Sequence, residues 1–146
     1  WVFGLHGNNF VKTMLRLGQE RDALSIVSDQ IGGPTSARSI AQALWQIALQ
    51  YQSNASCPWG TYHFSGAPTC SWYDFAKEIF AQAAELQLIT NIPRLKAITS
   101  SDYPTPAQRP AYSVLDNTKI NQQLNIAQSD WKNELNSVLR ALKDAH

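Results

Sequence analysis

The chain opens on three apolar residues, Trp1-Val2-Phe3, broken at once by Gly4 and the run Gly7-Asn8-Asn9. An aromatic and β-branched triplet closed by glycine predicts the end of a buried strand. From Phe10 the period changes. Phe10, Val11, Met14, Leu15 and Leu17 recur at helical spacing, Asn8 fits the N-cap, and Gly18 offers a stop. ALSIVSDQ (23–30) then reads as a short strand and GGPT (32–35) as a turn. Thr35 is placed to cap a helix whose apolar residues are Ile40, Ala41, Leu44, Ile47 and Ala48. GTYHFSG (60–66) has strand composition bounded by glycines.

The clearest helix follows. Ser71 and Asp74 resemble a capping box with Asp in the place of the usual Glu. Trp72, Phe75, Ala76, Ile79, Phe80 and Ala83 then hold one face. LKAIT (95–99) reads as another strand, and a last helix runs from Ser129 as cap through Trp131, Leu135, Val138, Leu139 and Leu142. Between them, residues 100–110 contain Pro104, Pro106 and Pro110. Each proline removes a donor and restricts its neighbour, so this stretch is extended. It is not Gly/Ser-rich, and reads as an ordered binding loop rather than a linker. Strands alternating with helices predict an α/β arrangement.

Composition narrows the function classes. With 146 residues and 44% hydrophobic content the chain can build one core. Twelve basic residues against eleven acidic ones leave a formal charge of +1, which argues against a nucleic-acid surface. No apolar run approaches the roughly 20 residues that cross a bilayer, and no signal peptide opens the chain. The expectation is a soluble, cytoplasmic protein with no membrane and no nucleic-acid partner. Cys57 and Cys70 then read as two ordinary thiols. The Asn54-Ala55-Ser56 triplet is a glycosylation acceptor only in a secreted chain.

No dinucleotide or Walker glycine pattern is present, and His6, His63 and His146 have no carboxylate or Cys at ligand spacing. No catalytic centre and no metal site are expected from these residues. At the start of the first helix, Asn8 and Asn9 lie where free N–H groups and the helix dipole favour an anion, with Lys12 and Arg16 one turn apart. They either hold a phosphate or form a capped surface helix with solvated bases. Arg109, stiffened by Pro110, either makes a bidentate phosphate contact or pairs with Asp102 or Asp116. Asp29, Gln30 and Thr35 flank tight glycines and equally suit a plain strand–turn–helix. Trp72 reads as core, and Trp1 stands at the mouth of a strand.

WVFGLHGNNFVKTMLRL, DQIGGPT, GTYHFSG, SWYDFAKEIF and YPTPAQRPAYSVLD follow one another in the order seen in dTDP-4-dehydrorhamnose reductases, and nearly the whole chain resembles that family. These are extended short-chain dehydrogenases of Rossmann type that reduce dTDP-4-dehydro-L-rhamnose to dTDP-L-rhamnose. The resemblance implies that the chain is their C-terminal substrate-binding portion, with residues 1–5 a late strand of a nucleotide-binding sheet. It also implies NADPH or NADH as the cofactor of the full-length enzyme, held outside this portion. The family's Tyr-x-x-x-Lys pair is not here, since YQSNA (51–55) has no Lys. The portion alone is therefore expected to be inactive and to bind no cofactor.

By the same resemblance Trp1 packs against the deoxysugar, Asn9 and Lys12 approach the diphosphate, Arg109 holds phosphate, and Gln30 and Thr35 lie toward the thymidine end. A non-catalytic regulatory subunit of the same fold is the alternative. An epimerase or dehydratase of another nucleotide sugar is disfavoured by DQIGGPT and TPAQRP. An apolar edge near residues 1–5 is expected to be exposed and to pair two copies into a homodimer.

Overall fold

The computed structural model describes residues 1–54 and 57–145. Most of the glycosylation triplet at 54–56, and His146, lie outside that range. The elements are β1 (Val2–Phe3), α1 (Phe10–Glu20), β2 (Ala23–Val27), β3 (Ile31–Gly32), β4 (Thr35–Ser36) and α2 (Ala37–Asn54). They continue with β5 (Cys70–Ser71), α3 (Trp72–Glu85), β6 (Arg94–Ile98), α4 (Thr118–Leu124) and α5 (Trp131–Asp144). The arrangement is α/β, as the alternating pattern predicts. Three two-stranded sheets form: β1 with β4 and β2 with β6, both parallel, and β3 with β5, antiparallel. No helix among the described residues is long and apolar enough to cross a membrane.

β2 and β6 pair in register from Ala23 opposite Arg94 to Val27 opposite Ile98. Leu24 and Ile26 alternate inward, which is why a five-residue stretch can be a strand with one buried face. α3 lies over this pair, between α1 and α5. Its predicted face is the buried one, with Phe75, Ala76, Ile79, Phe80 and Ala83 all inside. Ser71 caps it, accepting from the Asp74 amide at 3.0 Å. The Asp74 carboxylate accepts from the Ser71 hydroxyl at 2.7 Å, so the pair closes side chain to side chain.

Several boundaries differ from the sequence expectation. The cap of α1 is Asn9, not Asn8: its backbone is extended, its Oδ1 accepts from the Lys12 amide at 3.2 Å and its Nδ2 donates to the Gly4 carbonyl at 2.8 Å. Gly18 does not stop the helix. It is buried inside it, where a Cβ would come within 2.5 Å of the Phe80 ring, so its use is close packing of α1 on α3. The turn beyond is held by Arg16 paired with Glu20 at 2.9 Å. Ser36 rather than Thr35 caps α2, accepting from the Ser39 amide at 2.9 Å, because the Thr35 hydroxyl is engaged with the Gly33 carbonyl and the Gly66 amide. Asp130 rather than Ser129 caps α5.

GTYHFSG does not form a strand. Its backbone donors go to side chains instead: Ser65 N donates to Asn117 Oδ1 at 2.8 Å and Gly66 N to Thr35 Oγ1 at 3.0 Å. Tyr62 and Phe64 pack on a second, smaller core of Ala43, Cys57, Ile120, Leu124 and Ile126. α4, which carries two of these residues, was not foreseen from the pattern. The exposed apolar edge expected near residues 1–5 is carried by Val2. Phe3 is 1% exposed beneath Phe75, and only Val2 of the first strand faces out. Large exposed apolar side chains sit on α2 at Leu44, Trp45 and Leu49. Arg38 is the one charged residue in this helix, whose Ala43 faces inward, so its exposed side mixes these apolar residues with Gln42 and Gln46.

Candidate functional site

Three consecutive residues after β2 hold both ends of the proline-containing loop. The Asp29 carboxylate accepts from the Ser100 amide at 2.9 and 3.0 Å and from the Ser100 hydroxyl at 2.8 Å. Gln30 Nε2 donates to Ser100 Oγ at 2.9 Å. Ile31 then closes the far end, its N–H donating to the Ala111 carbonyl and its carbonyl accepting from the Ser113 amide. Loop 100–113 is thus a closed excursion on a short base, the form in which exposed side chains are presented without long-range disorder.

Arg109 is carried on this loop. It is exposed and belongs to no ion pair among the described residues. The alternatives considered for it are occupied: Asp102 accepts from Thr99 at the loop's first turn, and Asp116 accepts from the Thr118 amide. A guanidinium left open on a loop pinned at both ends suits an anion arriving from outside.

The other residues are placed as follows. The Trp1 ring stacks on Trp72 with centroids 3.6 Å apart and planes 13° apart. It also lies against Gly32, the glycine next to Ile31, where a Cβ would overlap the indole. Trp1 and Gln30 are therefore joined through one short strand, β3. Phe10, at the start of α1, packs on Trp72 at 4.7 Å and brings the N-terminus of α1 to the same aromatic group. Lys12 Nζ donates to the Leu5 carbonyl at 3.3 Å, a contact an anion can replace. Two residues are absorbed by the fold itself. Asn9 spends both ends of its amide on the cap and on Gly4. Thr35 is 4% exposed, its hydroxyl donating to Gly33 O and accepting from Gly66 N. Arg16 is turned to Glu20 and does not join Lys12.

Replacing Gly32 by alanine should drive Trp1 off Trp72, at a stability cost of about 1–3 kcal/mol for overpacking. The measurement is the circular-dichroism couplet of the stacked indoles, expected to disappear in Gly32→Ala.

Asp29, Asp102 and Asp116 all titrate below the usual carboxylate range. The Ser100 amide is the main cause for Asp29, the Thr99 amide for Asp102, and the Thr118 hydroxyl for Asp116. Groups with a depressed folded value stabilise fully above the unfolded value, about 3.9, and lose that contribution as pH falls through the folded one. Loop 100–113 should therefore loosen below about pH 4 while the buried core persists. Hydrogen exchange corrected for intrinsic rates checks this, with protection at Ser100 and Ser113 lost before that of α3.

A cleft of about 390 Å³ lies elsewhere, lined by Pro68, Cys70, Asp74, Lys77, Trp131 and Lys132 among others. None of the candidate residues lines it. Burial pushes the Cys70 thiol up to about 12, so it is a poor nucleophile at neutral pH. Cys57 and Cys70 are both free thiols. No group of His, Cys, Asp and Glu among the described residues is arranged to hold a metal.

The chain is similar throughout its length to known proteins. The family described as RmlD substrate binding domain matches residues 1–144. A dTDP-4-dehydrorhamnose reductase of Aggregatibacter actinomycetemcomitans is 51% identical over 138 residues, 94% of this chain and 47% of that protein. The solved dTDP-4-dehydrorhamnose reductase of Clostridium acetobutylicum has a TM-score of 0.85 at 35% identity, covering 98% of this chain and 46% of its own. That of Bacillus anthracis, solved in complex with NADP, has a TM-score of 0.81 at 33% identity, covering 97% and 46%. The chain spans just under half the length of the curated relatives it matches. With matching sequence from end to end and the same α/β architecture, this chain belongs to the RmlD substrate binding domain family.

Proposed function

We propose that this chain is the dTDP-sugar-binding part of a dTDP-4-dehydrorhamnose reductase. In this reading the longer enzyme reduces dTDP-4-dehydro-L-rhamnose to dTDP-L-rhamnose with NADPH. The observation that carries it is the family match over residues 1–144, together with relatives that are named for this reaction. The open Arg109 on its pinned loop supports it, since a nucleoside diphosphate needs a fixed cation.

Arg109 takes the diphosphate with Lys12 assisting from the start of α1. Trp1 offers an aromatic surface to the apolar side of a 6-deoxyhexose. Gln30 faces the nucleoside end. Asn9 and Thr35 serve the site indirectly: Asn9 aims α1, and Thr35 locks the Gly33–Gly66 crossing. NADPH supplies hydride when bound, but these residues do not fit it. The sequence has neither the glycine-rich turn nor the Tyr-x-x-x-Lys pair, so the chemistry belongs to the other half of the longer enzyme. No observation favours the regulatory alternative.

Calorimetric titration of the 146-residue chain tests this. dTDP should bind weakly and saturably, with roughly 4–5.5 kcal/mol, a Kd of about 0.1–1 mM. NADPH should give no saturable heat. Tight NADPH binding without dTDP binding would overturn the proposal.

A further inference from the structure

The contact between Asp29 and Ser100 does more than pin a loop, because a carboxylate accepts hydrogen bonds and cannot donate them. The Ser100 hydroxyl lies 2.8 Å from Asp29 Oδ1, so its proton is committed to Asp29. Ser100 Oγ is then left only with acceptor capacity. The Gln30 side chain also reaches this oxygen, 2.9 Å away, and it must present nitrogen. The orientation of the Gln30 amide is thus dictated by a carboxylate it does not touch. Its Nε2 is drawn to Ser100 and its Oε1 is turned away, receiving no hydrogen bond among the described residues. Gln30 is only half-buried, so this oxygen can meet a ligand.

We propose that Asp29 is a positioning residue which, through Ser100, holds the Gln30 carbonyl outward as a subsite for a hydrogen-bond donor of the bound nucleotide sugar. This rests on the dTDP-sugar reading above. The donor is an N–H or O–H group, and three parts of such a ligand carry one: the imide N–H of the thymine ring, the 3′-hydroxyl of the deoxyribose and the hydroxyls of the deoxyhexose. A group presenting only an acceptor at this point, such as N3 of cytosine, leaves two oxygens or an oxygen and a nitrogen lone pair facing each other. It is rejected.

The test compares wild type with Asp29→Asn, Ser100→Ala and Gln30→Ala, each titrated with dTDP and dTDP-L-rhamnose. Ser100→Ala keeps the amide that pins the loop and removes only the hydroxyl. Asp29→Asn keeps the shape and lifts the obligation on the Ser100 proton, since an amide can either accept from that hydroxyl or donate to it. Gln30→Ala and Ser100→Ala should each weaken binding about fivefold, the worth of one hydrogen bond, and Asp29→Asn by no more than that. In the Gln30→Ala background neither of the other changes should weaken it further. dTDP methylated at the thymine N3 loses the same factor if the imide is the donor. If a hydroxyl of the rhamnose is the donor, only dTDP-L-rhamnose responds to the variants, and if the deoxyribose 3′-hydroxyl is, both respond and 3′-deoxythymidine diphosphate loses the same factor.

Binding that is unchanged in Ser100→Ala overturns the proposal, as does a loss that persists in the Gln30→Ala background. No binding of either nucleotide by wild type would instead overturn the functional reading, and the subsite with it. The relay itself is read without ligand from the Gln30 side-chain amide protons by NMR. Identical resonances in wild type and Ser100→Ala would show that it does not exist.

Discussion

Phe75→Ala should destabilise the chain by about 3–5 kcal/mol, a loss typical of a large aromatic removed from a closed core. Phe75 is 1% exposed and sits at the centre of an aromatic group. Its ring lies 5.6 Å from Phe3, 5.5 Å from Phe10, 5.1 Å edge-on from Trp131 and 6.5 Å from Trp72. Those four rings come from β1, the start of α1, α5 and α3 itself. Truncation therefore opens a cavity where four elements meet, and no single neighbour can swing in to fill it without leaving its own contacts. Typical stabilities are about 5–15 kcal/mol, so the variant approaches the unfolding threshold. Urea denaturation checks it, with a lowered midpoint and unchanged slope expected. Phe75→Leu, which keeps most of the volume, should lose much less.

Arg109→Ala should weaken dTDP binding by about tenfold to a hundredfold while leaving the urea midpoint unchanged. Hydrogen bonds to charged groups are worth about 1.5–3 kcal/mol, and an open guanidinium has no partner in the fold to lose. Arg109→Lys should restore little. A lysine keeps the charge but not the planar fork that meets two phosphate oxygens at once. Calorimetry of the three proteins decides this. An Arg109→Ala variant that binds dTDP like wild type would remove the diphosphate contact from the site.

The long periodic elements were readable because their pattern has one solution. α3 buries the face its apolar residues define, and β2 buries the alternate pair Leu24 and Ile26. Caps were misread by one position at Asn8, Thr35 and Ser129 because the next residue, Asn9, Ser36 or Asp130, is an equally good capping type. Only the backbone decides between such neighbours. GTYHFSG failed as a strand for a different reason. Its donors are satisfied by Asn117, 52 residues away, and by Thr35, 31 residues away, and no local pattern encodes such partners. α4 is seven residues with two buried side chains, too short for its period to stand out.

The site shows the same division. The sequence singles out Lys12 at a helix N-terminus and Arg109 on a proline-stiffened loop, and in the fold Arg109 is exposed and Lys12 half-buried. That Asn9 and Thr35 are consumed by capping and by the Gly33–Gly66 crossing was not visible, because both depend on contacts that fold together later. The Asp29–Ser100 contact spans 71 residues and was missed entirely. The one signal for it was the composition of DQIG, short polar side chains next to a strand end.

The proposed nucleotide-sugar site is formed by residues of α1, β3 and loop 100–113 rather than by the cleft beside Cys70. Titrating dTDP into the isotope-labelled chain and following backbone amides by NMR tests it most directly. Progressive, saturable shifts at Lys12, Gln30 and the residues flanking Arg109 are expected, with Asp74, Lys77 and Lys132 unmoved. Shifts confined to those cleft residues, or none at all at millimolar dTDP, would contradict it.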